Sequence, residues 1–252
     1  MRWIPLFLLA LVLGTSLGCK KDSKRRIKKF HRKEVGHSAH DILSNDDYHS
    51  MTIELIYMSG YRPTDEAVES LKELINTVCN KPSGIRVVFK NIPAQGKAAY
   101  SIDDVKAIED QYREEYTYRE DIAVCFIFMD GPSGEDQGSS MVLGQAYYNT
   151  SMVIYERSLR DHSGGFGEPE LYKLETTVIN HEFGHILGLV NLGSAMYHSH
   201  QDPAHGSHCD QADCLMYWEV ETGSVFDNLI GNAPIPVLDA NCLKDLHENG
   251  GK

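Results

Sequence analysis

The chain has no apolar run long enough to span a membrane, no internal repeat, little proline and a deficit of positive charge. Its apolar opening stretch, Ile4–Leu13, falls short of the ~20 residues that a spanning helix requires. Nine prolines and 21 glycines without a period exclude a collagen-like or low-complexity chain. Six cysteines in 252 residues are too sparse for a scaffold held by disulfides alone. With 42% hydrophobic and 24% charged residues the composition is globular, and the length suits one domain with a real core plus tails. A net charge of −12 opposes phosphate backbones, so no nucleic-acid partner is expected. That total conceals two parts. Residues 20–33 carry nine Lys/Arg against one Asp, whereas residues 34–252 carry 14 Lys/Arg against 35 Asp/Glu. A basic arm therefore precedes an acidic body.

Arg2, the apolar run and the small residues ending at Gly18 follow the order of a secretory signal, expected over 1–18. Cys19 directly after them resembles the lipidated cysteine of bacterial lipoproteins. That resemblance implies an exported, membrane-anchored lipoprotein at the outer membrane or cell surface, with 19–48 as a lipidated basic linker. A like-charged run without apolar periodicity is expected to be solvated. Near anionic lipid each of its Lys/Arg adds roughly 1 kcal/mol of attraction. The five remaining cysteines would lie where disulfides persist, and five is odd. Cys125, inside an apolar run, is expected as an inert buried thiol.

The body, 49–252, reads as one α/β domain. Strands are expected at Met51–Met58, Ile85–Phe89 and Ile122–Met129, the last apolar enough to be buried on both faces. A helix opens at Pro63-Thr64-Asp65 with its stripe on Ala67, Val68, Leu71, Leu74, Ile75 and Val78, and a second covers Ser101–Tyr116. Two short strands, Val142–Tyr148 and Met152–Tyr155, precede a helix over about 168–187. The order β-α-β-α-β predicts a mostly parallel twisted sheet with a later antiparallel edge strand. Beyond 188 the periodicity disappears, so 49–188 and 189–252 read as a regular and an irregular subdomain.

Six of the twelve histidines fall in 181–208, beginning with His181-Glu182-Phe183-Gly184-His185. Positions i and i+4 share a helix face, so both imidazoles can bind one Zn²⁺, with Glu182 beside them as general base and then acid. Gly188 follows three residues later, where a helix that turns sharply needs φ > 0. A third ligand is required. Asn191 stands three residues past the glycine; His205, His208, Glu219 and Glu221 are the other donors within reach in sequence. His200, Asp202 and His205 also read as a candidate second metal group, or as plain loop residues. Tyr217 is a candidate hydrogen-bond donor to an oxyanion, or a packed tyrosine.

H-E-x-x-H-x-x-G resembles the metzincin zinc peptidases, whose third histidine would fall at Asn191. His208-Cys-Asp-Gln-Ala-Asp-Cys-Leu-Met216 is similar to the segment that archaemetzincins place directly after the glycine. An insertion, Asn191–Ser207, reconciles the two. The resemblance, strongest over 174–217, implies a metzincin-like fold with an active-site helix and Met216 as the Met-turn residue. It implies one catalytic zinc on His181, His185 and His208, and peptide hydrolysis with an extended substrate along edge strand 143–148. Archaemetzincins also bind a structural zinc with four cysteines, but here only Cys242 follows the Met-turn, with no C-x-x-C. A disulfide between Cys209 and Cys214 is expected instead, with Cys79–Cys242 as a second bridge. No cysteine lies in 34–50, so no cysteine-switch latency is expected. The rival readings are a glutamate-ligand zinc peptidase and a catalytically silent zinc-stabilised surface binding lipoprotein.

Overall fold

The computed structural model describes residues 28–138, 140–221 and 224–252. The expected signal segment and Cys19 lie outside them. Five strands form one sheet: β1 (Ser50–Met58), β2 (Ile85–Ile92), β3 (Asp121–Phe128), β4 (Gly144–Tyr148) and β5 (Ser151–Ile154). The order is β2-β1-β3-β5-β4, parallel throughout except for β4, which runs antiparallel to β5 at the edge. The expected parallel sheet and antiparallel edge strand are both present.

Period-two alternation along the strands supplies two cores. Ile53, Leu55, Val124, Phe126 and Phe128 face one side, packed with α2 (Asp65–Val78) and α5 (Leu171–Ile186). Ile56, Met58, Cys125, Ile127 and Met129 face the other, covered by α3 (Ile102–Tyr112). The helix starts agree with their sequences. Thr64 accepts a hydrogen bond from the Ala67 N–H, and Ser101 with Asp104 forms a capping box. Cys125 is buried as expected, and burial pushes its thiol well above the ordinary range.

Three regions differ from the sequence reading. The segment expected as linker up to residue 48 is packed from His31 onward, with His31, Ser38, Ala39, Ile42 and Leu43 buried and α1 at Ala39–Leu43. Asn149, in the β4–β5 turn, holds this strap: its Nδ2 donates to Phe30 O and Ser38 Oγ, and its Oδ1 accepts the Lys33 N–H. A short helix, α4 (Glu156–Asp161), follows β5. The C-terminal part contains a 3-10 turn (Trp218–Glu221), a single turn α6 (Val225–Asn228) and a nine-residue helix α7 (Ala240–Glu248) capped by Asp239, so it is less irregular than expected.

His31 links the strap to the sheet. The Thr117 N–H donates to its Nε2, so the ring is neutral, and its Nδ1 stands 2.7 Å from Thr150 Oγ1 and 3.0 Å from the Arg113 guanidinium. Burial, and then the Arg113 guanidinium, lowers its pKa from 6.5 to about 2. Below pH 6.5 the unfolded chain binds this proton and the folded chain does not. The stability present above the unfolded value is therefore lost as pH falls through that window, by up to about 1.4 kcal/mol per unit. Denaturant unfolding at pH 7 and pH 5 measures the loss, and His31→Gln is expected to reduce it. An unchanged pH slope in that variant would contradict the assignment.

Candidate metal centre and cleft

Helix α5 runs under the edge strand with almost every side chain buried. Phe183 stacks on Phe126 of the sheet at 6.1 Å between centroids, which fixes the helix rotation. With Phe183 directed into the core, His181, Glu182 and His185 line the other side. Gly188, at φ 75°, ends the helix. A Cβ there would stand 2.6 Å from Ser194 N and 2.8 Å from Ala39 Cβ, so both conformation and space demand glycine.

His208 joins the two helix histidines. One ring nitrogen from each of His181, His185 and His208 lies within 4.8 Å of the others, and Nε2 of His181 and His185 are 3.1 Å apart. His181 Nδ1 donates to Leu215 O at 2.6 Å, and His208 Nδ1 donates to His205 O at 2.6 Å. These backbone bonds place the protons on Nδ1 and direct each Nε2 lone pair inward, the arrangement that supports metal-bound imidazoles. Three convergent imidazoles, two of them with the far nitrogen fixed by a backbone carbonyl, fit one divalent ion of the zinc class.

The segment Asn191–Ser207 leads into the third ring. Asp202 N donates to His208 O, Asp210 N to His200 O, and Gln201 bridges to Cys209, closing a compact loop with His208 at its end. Met216 is fully buried beneath α5, its sulfur so close to Gly184 that any Cβ there would collide with it. Asn191 is exposed with φ 67° and lies outside the group. His205 is exposed, hydrogen-bonded to Asp202 at 2.6 Å and stacked on Trp218. Glu219 accepts a hydrogen bond from Asn228 and is likewise outside the group.

Glu182 Oε2 accepts the Ala146 N–H at 2.7 Å, so β4 itself positions the carboxylate beside the histidines. The preceding Gly144 was not singled out in the sequence, although a lone glycine opening a strand signals close approach. A Cβ on it would lie 2.8 Å from both Glu182 Cγ and Val178 Cγ1. Gly144→Ala is expected to displace the Glu182 carboxylate, retain the metal and lower turnover on the order of 10²-fold. Metal content and kcat, measured together, check this; unaltered kcat would show that Glu182 tolerates the displacement. A cavity of about 400 Å³ opens here, bounded by Val35 of the strap, Val142 and Leu192 as well as Glu182, His185 and His208.

The cysteines are not paired as expected. All five described cysteines are buried thiols. Cys214 Sγ lies 3.6 Å from Cys242 Sγ, whereas Cys209 Sγ faces His200 Nδ1 at 3.4 Å and Asp239 Oδ2 at 3.3 Å. The hydrogen bond from Cys242 holds the Cys214 thiol down to about 7, and burial pushes Cys79 up to about 12. Cys242, the expected partner of Cys79, is thus engaged by Cys214. The triad His200, Asp202 and His205 does not assemble either, because His200 turns away to Cys209 and Asp245.

The fold has a counterpart among solved structures. Archaemetzincin (amzA) from Methanopyrus kandleri superposes with a TM-score of 0.50 at 17% identity, covering 80% of this chain and 96% of that one. This is a likeness of fold. A structure of a chaperone–substrate complex aligns at TM-score 0.38 and 13% identity, over 81% of this chain and 34% of that chain. No family model and no curated protein sequence matches the chain.

Proposed function

We propose that the chain is a zinc-dependent endopeptidase whose centre is His181, His185 and His208. The observation that carries this reading is the convergence of three imidazole nitrogens within 4.8 Å beside a buried glutamate held by the edge strand. A zinc ion there would supply a water whose pKa falls from 15.7 to about 7 and a Lewis acid for the carbonyl oxygen. Glu182, fully buried and held by the Ala146 N–H, takes the proton from the attacking water and delivers it to the leaving amine. Strand β4 has β5 on one side only, so its outer edge offers hydrogen bonds to an extended peptide. The fold likeness to archaemetzincin supports the same reaction class. Attachment to a membrane through lipid on Cys19, with export by residues 1–18, belongs to this reading as well.

Incubation of the zinc-loaded chain with a peptide library, followed by mass spectrometry, tests it. Chelator-sensitive cleavage at internal bonds is expected. Full zinc loading with no cleavage of any peptide would instead favour a zinc-stabilised surface binding protein.

A further inference from the structure

Building on the peptidase reading, we propose that Val35 of the strap, together with Leu192, forms an apolar wall of the metal cleft that selects a compact aliphatic side chain beside the scissile bond. Val35 and Leu192 both bound the cavity of about 400 Å³ that also touches Glu182, His185 and His208. Both are half-buried, so each keeps apolar surface open. Neither belongs to the H-E-x-x-H-x-x-G pattern or to His208–Met216, the segments that carry the metzincin resemblance.

Backbone packing holds the wall in place. A Cβ on Gly36 would stand 1.9 Å from Leu192 O, and one on Gly193 would stand 2.3 Å from Gly36 O. The strap and the turn after α5 therefore touch through glycines that no larger residue can replace. On the other side of Val35, Lys33 O accepts the Asn149 N–H at 3.1 Å, and the Lys33 N–H donates to Asn149 Oδ1 at 3.1 Å. Val35 is thus tied to the end of β4 two residues before it and to the glycine turn one residue after it. Leu192 is held in that turn: its N–H donates to Gly188 O at 3.1 Å, and the Ser194 N–H donates to the same oxygen at 2.9 Å. Two side chains from distant segments meet at the cleft with little freedom to retreat.

Covering these side chains removes apolar area from water, whereas a charged or amide group pressed against them would lose its hydration without gaining a partner. Val142 extends the aliphatic lining, and Glu135 and Ser207 are polar. Size follows from the same cavity, which has to hold the peptide backbone as well as one side chain. A branched aliphatic chain fits that space, where an aromatic ring would press on Val35. Being β-branched, Val35 has few rotamers with which to yield. One methylene more or less in a hydrophobic pocket changes selectivity by about 10- to 200-fold.

Three hydroxamates, which grip zinc through two oxygens, test the wall: one without a side chain, one with isobutyl and one with benzyl, each titrated calorimetrically into the zinc-loaded full chain. The isobutyl probe is expected to bind at least about 10-fold more tightly than the unsubstituted one, and more tightly than the benzyl one. Val35→Phe should remove that advantage, and Val35→Ala should shift it toward benzyl, with zinc content unchanged in both. Leu192→Ala should act in the same direction as Val35→Ala. Equal probe ratios in the natural protein and Val35→Phe, or failure of all three probes to bind the zinc-loaded chain, overturn the wall. If Val35→Phe does not fold, an unchanged isobutyl-to-benzyl ratio in both Val35→Ala and Leu192→Ala overturns it. Selective binding without cleavage of any peptide would refute only the peptidase reading. Peptide cleavage with the same side-chain preference in the natural protein and Val35→Ala would refute only the wall.

Discussion

Glu182→Gln is expected to keep its metal and lose peptide hydrolysis by a factor on the order of 10²–10⁴. The amide has nearly the carboxylate's shape, and its oxygen can still accept the Ala146 N–H that Glu182 accepts at 2.7 Å. The cleft should therefore keep its form. What disappears is the ability to take a proton from water and return it to the amine. Because Glu182 is not among the convergent donors, zinc content should stay at the natural value. Hydrolysis at the natural rate would refute the assigned role, and loss of zinc would indicate that the carboxylate holds the ion.

His208→Ala should weaken zinc binding at the three-histidine group by more than the ~100-fold that follows the loss of a supporting partner. It removes one of three imidazoles and leaves a two-histidine site that cannot close round a tetrahedral ion. Asn191→Ala, His205→Ala and Glu219→Ala should each leave that affinity unchanged. Asn191 is exposed, His205 reaches His208 through its backbone carbonyl, and Glu219 faces Asn228. Competition titration with a chromophoric chelator measures all four. A fall for Asn191→Ala or Glu219→Ala comparable to that for His208→Ala would reassign the third ligand.

The sheet and the first two histidines of the group are legible because local signals and packing agree. The run at β3 is apolar on both faces and is buried on both. The i, i+4 histidines lie on a helix whose Phe183 faces the core. His208 was reached by spacing and resemblance, since an insertion erases any periodic link between Gly188 and the loop. Less legible were features made by contacts distant in sequence. In residues 28–48 the charge run masked a few apolar anchors, and Asn149, more than a hundred residues away, supplies the hydrogen bonds that fix them. Helix α7 carries only Cys242, Asp245 and Leu246 as buried residues, too few for a periodic signal. The closeness of Cys209 and Cys214 in sequence suggests a staple that the structure does not contain. Residues 211–214 instead direct Cys214 toward Cys242, while Cys209 meets the insertion and Asp239.

Anomalous diffraction at the zinc edge from crystals of the zinc-loaded protein would locate the ion of a three-histidine zinc centre. A peak bonded to His181, His185 and His208 at about 2.0–2.1 Å, with Glu182 outside the coordination sphere, is the expected result. An ion whose third protein ligand is Asn191, His205 or Glu219, or no ion between His181 and His185, would contradict it.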